Sequence, residues 1–337
     1  GKQHFFKKKK KKRENNNNNF FKKKKKYLLE LKKPHLILFG RIGYETHQIT
    51  RKGTPFWNDK LYVVASIDRN CHGIARTCVN RFSIPHPSIF HPKSIESLQL
   101  QIERSQKLER DILVSFCGAV RSEIREKALK NCQWTYGWRK WVWFWDGELC
   151  VFDDSLKIEE QMKREGLNSH GERRRRLELA FSRRCMKLYE RSVFCIQQGA
   201  DSTTRKGLWD GIVAGCIPVF LEGVMMNEFE CYTMSGNVQP WYVITHYDYY
   251  VKQLMALSPQ YVHLLRRNIL RMIPKFVYTD GTAGFHDAID VLFACLVRLS
   301  HHMSDPNNCT YDEMYKRRWF DIDSMLGYQQ LYPKLGI

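Results

Sequence analysis

The sequence predicts an α/β protein of two lobes built on parallel strands, and three observations predict it. Short apolar runs alternate with longer segments of helical periodicity. The helical segments are long enough to act as right-handed crossovers between parallel strands. The 337 residues exceed one average domain and suffice for two.

Taken in order, strands are expected at 36–39, 61–65, 112–117, 142–145, 193–196, 217–221 and 241–245. Helices are expected at 122–131, 156–165, 173–190, 203–214, 249–257, 259–272 and 284–299. Pro85, Pro87 and Pro92 make a rigid, extended segment, and a polar stretch from Glu96 to Glu109 follows it. A boundary near residue 107 divides a short first lobe, 34–106, from a second, 107–300, with a C-terminal extension at 301–337. The first lobe is about half the usual size of a domain, so it reads as reduced or truncated.

Composition supports a folded body and limits its partners. Hydrophobic residues make up 43% of the chain, enough for a substantial core. The net charge of +20 suggests a nucleic-acid binder until it is located. Residues 1–33 hold 15 Lys or Arg against Glu14 and Glu30, leaving a net charge of +7 for residues 34–337. That N-terminal tail is low-complexity, strongly self-repelling and poor in apolar surface, so it is expected to be disordered. No specific nucleic-acid partner is expected for the body. No run reaches the ~18 apolar residues of a membrane span. Eleven cysteines show neither Cys-x-x-Cys pairs nor a zinc spacing. Cys117, Cys195, Cys216 and Cys295 lie in apolar runs and read as small core residues. Asn308-Cys309-Thr310 fits a glycosylation sequon.

The chemistry concentrates at 189–222, YERSVFCIQQGADSTTRKGLWDGIVAGCIPVFLE, which reads strand, polar loop, helix, strand. Ligands of open α/β sheets bind beyond the carboxyl ends of the strands, where this loop lies. Gly199 permits a tight turn. Asp201 sits in the loop, and Ser202, Thr203 and Thr204 bring hydroxyls to a helix start, where free N–H groups and the dipole favour an anion. Arg205 adds a planar, permanently charged fork for phosphate oxygens. Asp210 follows on the helix, and Gly215 and Pro218 end it. Separately these residues read as an N-cap and a solvated charge; together they read as a phosphate site.

This segment resembles the signature of exostosin-type enzymes, glycosyltransferase family 47: Ser-x-Phe-Cys-Leu, Gly-Asp-Ser-x-Thr-Arg, then Asp-Ala-Ile-x-x-Gly-Cys-Ile-Pro-Val. Ser192, Phe194, Cys195, Gly199, Asp201, Ser202, Thr204, Arg205, Asp210, Ile212, Gly215, Cys216, Ile217, Pro218 and Val219 match it. Ala200 is inserted and Gly211 replaces the usual Ala. Residues 112–125, with Gly118, Arg121 and Arg125, resemble the family's Phe-x-Gly-x-x-Arg-x-x-x-Arg segment. The proline-rich stretch at 84–92 and the region around Phe276, Tyr278, Asp287 and Ala288 are also similar to it.

The resemblance implies a GT-B architecture: two Rossmann-like lobes facing a cleft, with the donor held by the C-terminal lobe. It implies inverting transfer from a nucleotide sugar, in the usual case a UDP-sugar, to a polysaccharide or glycoprotein glycan. Arg121 and Arg205 would face the diphosphate and Asp210 the donor ribose, with Arg125 also among the donor-binding residues. His35 matches a histidine of the family's first lobe and is the expected catalytic base, with His72 and His86 as alternatives. No cofactor is expected and metal is not required. The setting implied is the lumenal side of the Golgi membrane, with a homologous transferase subunit as a further partner.

Two other readings stay open at this stage. A metal-dependent GT-A transferase needs Asp-x-Asp, and Asp321-Ile322-Asp323 has that spacing without strand–helix context. An inactive transferase fold that binds an active homologue is the non-enzyme alternative.

Overall fold

The computed structural model describes residues 35–39, 62–66, 81–120, 122–137, 148–153, 155–166, 171–198, 205–221, 232, 242–243, 247–302 and 322–337. Two parallel sheets organise them, as the α/β, GT-B-type reading expects. The first joins β1 (His35–Phe39), β2 (Tyr62–Ser66) and β3 (Arg81–Ser83) in that order. The second holds β4 (Ile112–Cys117), β5 (Glu148–Asp153), β6 (Ser192–Ile196), β7 (Ile217–Phe220) and β8 (Tyr242–Val243). Its spatial order is β5-β4-β6-β7-β8, parallel throughout.

That order sets where a ligand can go. The chain leaves β4 for β5 on one side, then returns across β4 to place β6 on the other. The reversal makes the carboxyl ends of β4 and β6 the topological switch point, the place where open α/β sheets bind their ligands. Every residue of β4, β6 and β7 is buried. Such all-round burial follows when helices cover both faces, and it explains the unbroken apolar runs of these strands. On one face α2 (Glu123–Gly137) and α6 (Tyr250–Met255) pack through Ala128, Cys132, Tyr250 and Leu254 against Val114, Phe194 and Val219. On the other, α4 (Glu172–Arg191) packs through Cys185, Leu188 and Tyr189 against Ile112 and Cys195. The short α3 (Leu156–Arg164) precedes α4.

A third cluster gathers α1 (Ile95–Lys107), α5 (Lys206–Val213), α7 (Pro259–Phe276), α8 (Ala288–His302) and α10 (Tyr328–Lys334), with α9 (Ile322–Met325) just before the last. Leu98, Ile102, Trp209, Phe276, Val291, Tyr328 and Leu335 meet there. The sequence reading left 96–109 as a polar stretch, and the structure corrects it to a helix. Ser94 and Ser97 form a reciprocal cap at its start, and Leu98, Ile102 and Ser105 supply a buried stripe at i, i+4 and i+7. The expected division near residue 107 falls between α1 and β4, and α1 itself packs with elements that follow. The extension likewise joins this core, where buried Lys275 of α7 pairs with Asp323 of α9.

Most other expected elements appear within a few residues of their expected bounds. The strand expected at 142–145 lies outside the described residues, while β3 and β5 were not anticipated. The cysteines differ as well. Cys117 is bonded to Cys185, Cys132 to Cys150 and Cys195 to Cys216, with Cα separations of 5.6, 6.0 and 5.9 Å. Cys295 is also disulfide-bonded. The four expected core thiols are buried, as read, but cross-linked. Among the described residues no helix is long and apolar enough to cross a membrane.

Candidate functional site

β4 ends at Cys117, and its carbonyl oxygen lies at the switch point. Arg205, the N-cap residue of α5, reaches it from the neighbouring β6–α5 connection and donates to it through Nη2. Buried Tyr189 donates to the same oxygen through its hydroxyl, at 3.4 Å. The Arg205 guanidinium lies over the Phe116 ring, its Cζ 4.6 Å from the centroid. Facing an aromatic π surface favours a cation there.

Two glycines make room for that side chain. A Cβ at Gly118 would stand inside contact distance of Arg205 Nη2 and 3.2 Å from Cζ. One at Gly207 would come within 2.9 Å of Nη2 and 2.8 Å of the Tyr189 hydroxyl. Gly118 also has a φ of +153°, which an L side chain rarely adopts. The other nitrogen, Nη1, is buried and has no hydrogen-bond partner among the described residues. An arginine held with a spare donor suits an incoming anion.

Arg125, on α2, ties the second loop of the crevice to the first. Its Nε and Nη2 donate to the Gln198 carbonyl at 3.1 and 2.7 Å, and Nη1 donates to the Ala119 carbonyl at 2.6 Å. Gln198 follows β6 and Ala119 follows β4, so one buried side chain fixes the gap between the switch-point loops. It too approaches Phe116, at 5.3 Å. Gln198 itself has a buried Oε1 with no partner among the described residues.

Asp210 is only 2% exposed. Its Oδ1 accepts the Ile89 N–H at 2.7 Å, and Oδ2 pairs with Lys206 one turn earlier on α5. Burial raises its carboxyl above the ordinary aspartate range, against the pull of Lys206. Both oxygens are therefore engaged with the chain, and the proline-rich segment is fastened to α5. Tyr278 holds that segment from another side, donating to the Pro85 carbonyl at 2.6 Å.

The end of α5 follows its sequence closely. Gly215 adopts φ +72°, its N–H donates to Ile212, and the Cys216 N–H donates to Gly211. These bonds make a Schellman stop, which delivers the chain into β7. Gly211, where the family carries Ala, is itself tightly placed: a Cβ there would be 3.3 Å from Cys195 Sγ and from Gln197 Nε2.

The structure thus brings Arg125, Arg205 and Asp210 into one neighbourhood. Arg121, Gly199, Asp201, Ser202, Thr203 and Thr204 lie outside the described residues, as does the side chain of His35 at the head of β1. The helix expected to start at Thr203 is described from Lys206, with Arg205 at its cap. Sequence reasoning missed Phe116, Gly118 and Gly207, which shape the Arg205 site, although Gly118 stood in the matched segment. Of the Asp-x-Asp spacing, Asp323 is committed to Lys275 and Asp321 is outside the described residues.

A doubly wound α/β domain with two arginines at its switch point has the form of a ligand-binding domain. Comparison with known proteins identifies which kind. The family model for the exostosin GT47 domain matches residues 33–231, and the chain belongs to that family. It is 26% identical over 275 residues to the "Probable xyloglucan galactosyltransferase GT12" of Arabidopsis thaliana, covering 77% of this chain and 48% of that one. The figures for the "Xyloglucan galactosyltransferase MUR3" of the same plant are 25% over 276 residues, 77% and 40%. The chain spans about half the length, or less, of these relatives. Among solved structures, the GtfA/B complex aligns at a TM-score of 0.34 with 10% identity, over 80% of this chain and 46% of that one; a likeness this weak carries no argument.

Proposed function

We propose that the chain acts as an inverting glycosyltransferase, passing a sugar from a UDP-sugar to a glycan acceptor. Galactose and xyloglucan, named in the relatives, are the first donor sugar and acceptor to test. One observation carries the reading: a caged arginine with a spare donor stands at the switch point of a doubly wound sheet, within a family of glycosyltransferases. An acceptor hydroxyl attacks the anomeric carbon from the face opposite the nucleotide. The bond to the diphosphate breaks, and a base removes the hydroxyl proton. His35 is proposed as that base. Arg205 and Arg121 stabilise the departing diphosphate, so no metal is required. Arg125 keeps the two loops at their spacing, a positioning role. Asp210 acts through the segment it fastens.

The buried disulfides support a place in an oxidising compartment, in keeping with the lumenal Golgi setting. UDP in excess is expected to raise the melting temperature, by ~2.7 kcal/mol of stability at a hundred times Kd. Arg205→Ala is expected to weaken UDP about 10- to 150-fold while sparing uridine, because the lost contact is to phosphate. A variant that loses both ligands equally, or neither, would overturn the assignment. Transfer should persist in EDTA; loss in EDTA with recovery on added manganese would mean that a metal carries the charge.

A further inference from the structure

Tyr189 is a fully buried side chain whose hydroxyl ends beside the Arg205 guanidinium. It belongs to α4, just before β6, and its own carbonyl accepts from Arg110 Nη1 at 2.9 Å, next to the carbonyl of Ser192. The backbone of the residue is thus fixed at the amino edge of the sheet, where Ser192 pairs with Ile112. Helical side chains lean toward the N-terminus of their helix, so the ring rises from there toward the carboxyl edge. One turn earlier, Cys185 is bonded to Cys117 and holds α4 against the end of β4. On its other side α5 makes room for the ring through two glycines one turn apart. A Cβ at Gly211 would lie 3.9 Å from Tyr189 Cδ2, and one at Gly207 would lie 2.8 Å from the hydroxyl. The ring therefore runs along α5 from 211 to 207, a rigid strut that ends at the Cys117 carbonyl.

A carbonyl oxygen has two lone pairs, and here Tyr189 and Arg205 Nη2 both donate to one oxygen. Burial raises the phenol above its ordinary range, against the pull of Arg205, so the hydroxyl keeps its proton and remains a donor. With one lone pair taken by a ring of few rotatable bonds, the guanidinium is confined to the other. Its seat over Phe116 follows, and so does the direction of Nη1, which has no hydrogen-bond partner among the described residues. Gly207 closes the arrangement, since hydroxyl and guanidinium both pack against it.

We propose that Tyr189 is a positioning residue for the donor: its hydroxyl decides which lone pair of the Cys117 carbonyl Arg205 occupies, and so aims Nη1 at the donor phosphate. The aim rests on the transferase reading above; the hold on Arg205 does not. Without the hydroxyl, Nη2 can take either lone pair and the guanidinium samples more than one direction. Part of its ordering is then left until the anion arrives, and binding weakens by that cost. Tyr189 itself touches no ligand, so a nucleoside without phosphates does not sense the change.

The test is Tyr189→Phe in the full chain, which keeps the ring and removes only the hydroxyl. Its first readout needs no donor. Modification of Arg205 by phenylglyoxal, followed by peptide mass, is expected to run faster in the variant than in the parent; an equal rate would overturn the proposal. For the second, UDP is expected to bind about 3- to 10-fold more weakly, the worth of one neutral hydrogen bond, with uridine unchanged. In an Arg205→Ala background the same substitution should add no further loss, because no guanidinium is left to aim. A loss of equal size in both backgrounds, or an equal loss for uridine, would mean that Tyr189 serves the fold alone. Gly207→Ala, whose Cβ would press on the hydroxyl and Nη2 alike, is expected to move both readouts in the same direction, and no change there would count against the strut. The two readings fail separately. UDP binding unaffected by Arg205→Ala removes the phosphate reading, and the modification rate still decides whether Tyr189 holds Arg205.

Discussion

At the scale of single residues, Asp210 shows how a motif position can serve the fold. Its carboxylate accepts a backbone N–H from a segment 121 residues earlier and pairs with Lys206. Because burial raises its pKa in the folded chain, the folded state holds the proton more tightly than the unfolded state does. Stability from this group is therefore greatest when it is protonated. It falls as pH rises from the ordinary carboxylate range, about 3.9, through the raised value. Asp210→Asn keeps an oxygen for Ile89 and removes the titration. The melting temperature of the variant minus that of the parent should then increase as pH rises through the acid range; parallel curves would show that Asp210 titrates normally. Asp210→Ala, which strands the Ile89 N–H, is expected to cost about 1–3 kcal/mol.

At the scale of elements, the 189–222 unit was legible because its instructions are local. Apolar runs marked β6 and β7, and Gly215 marked the end of α5. What joins that unit to the rest was not legible. The Asp210–Ile89 bond and the cage around Arg205 span 121 and 88 residues, and no periodicity encodes such pairings. Helix α1 was missed for another reason: two apolar residues and a serine make its buried stripe, too thin a pattern among polar neighbours. The disulfides followed no spacing rule because the sheet itself brings the partners together. Replacing Cys117 and Cys185 by Ser opens a cross-link between positions 68 apart and is expected to cost ~2–5 kcal/mol. Thermal melts of the double variant would show it, and an unchanged midpoint would mean that the bond is not formed in solution.

At the scale of the whole molecule, charge and core are separated. Among the described residues the apolar clusters lie in the second sheet and its helices, while most of the net charge of the sequence lies in residues 1–33. Deleting 1–33 should leave the melting temperature and UDP affinity within error of the full chain, since that segment offers almost no apolar surface to bury. A fall of many degrees on truncation would assign the tail to the fold. The expected α/β class and its parallel order follow from alternation, which the sequence displays throughout. The size of the first lobe and the exact limits of the second do not, because helices such as α1 and α10 pack with a core far from them in the chain.

The cage around Arg205 also constrains how this chain can drift. Positions 118, 205 and 207 cannot vary independently, because a methyl group at either glycine collides with the arginine; a shorter side chain at 205 removes that contact but leaves the Tyr189 hydroxyl 2.8 Å from position 207 and the φ of +153° at 118. Alanine at 118 or 207 should be tolerated better in descendants that have already lost the arginine, and with it the phosphate contact proposed above. A glycine exchanged at these sites would then mark a lineage that has also given up the arginine proposed to hold the donor, readable from three letters.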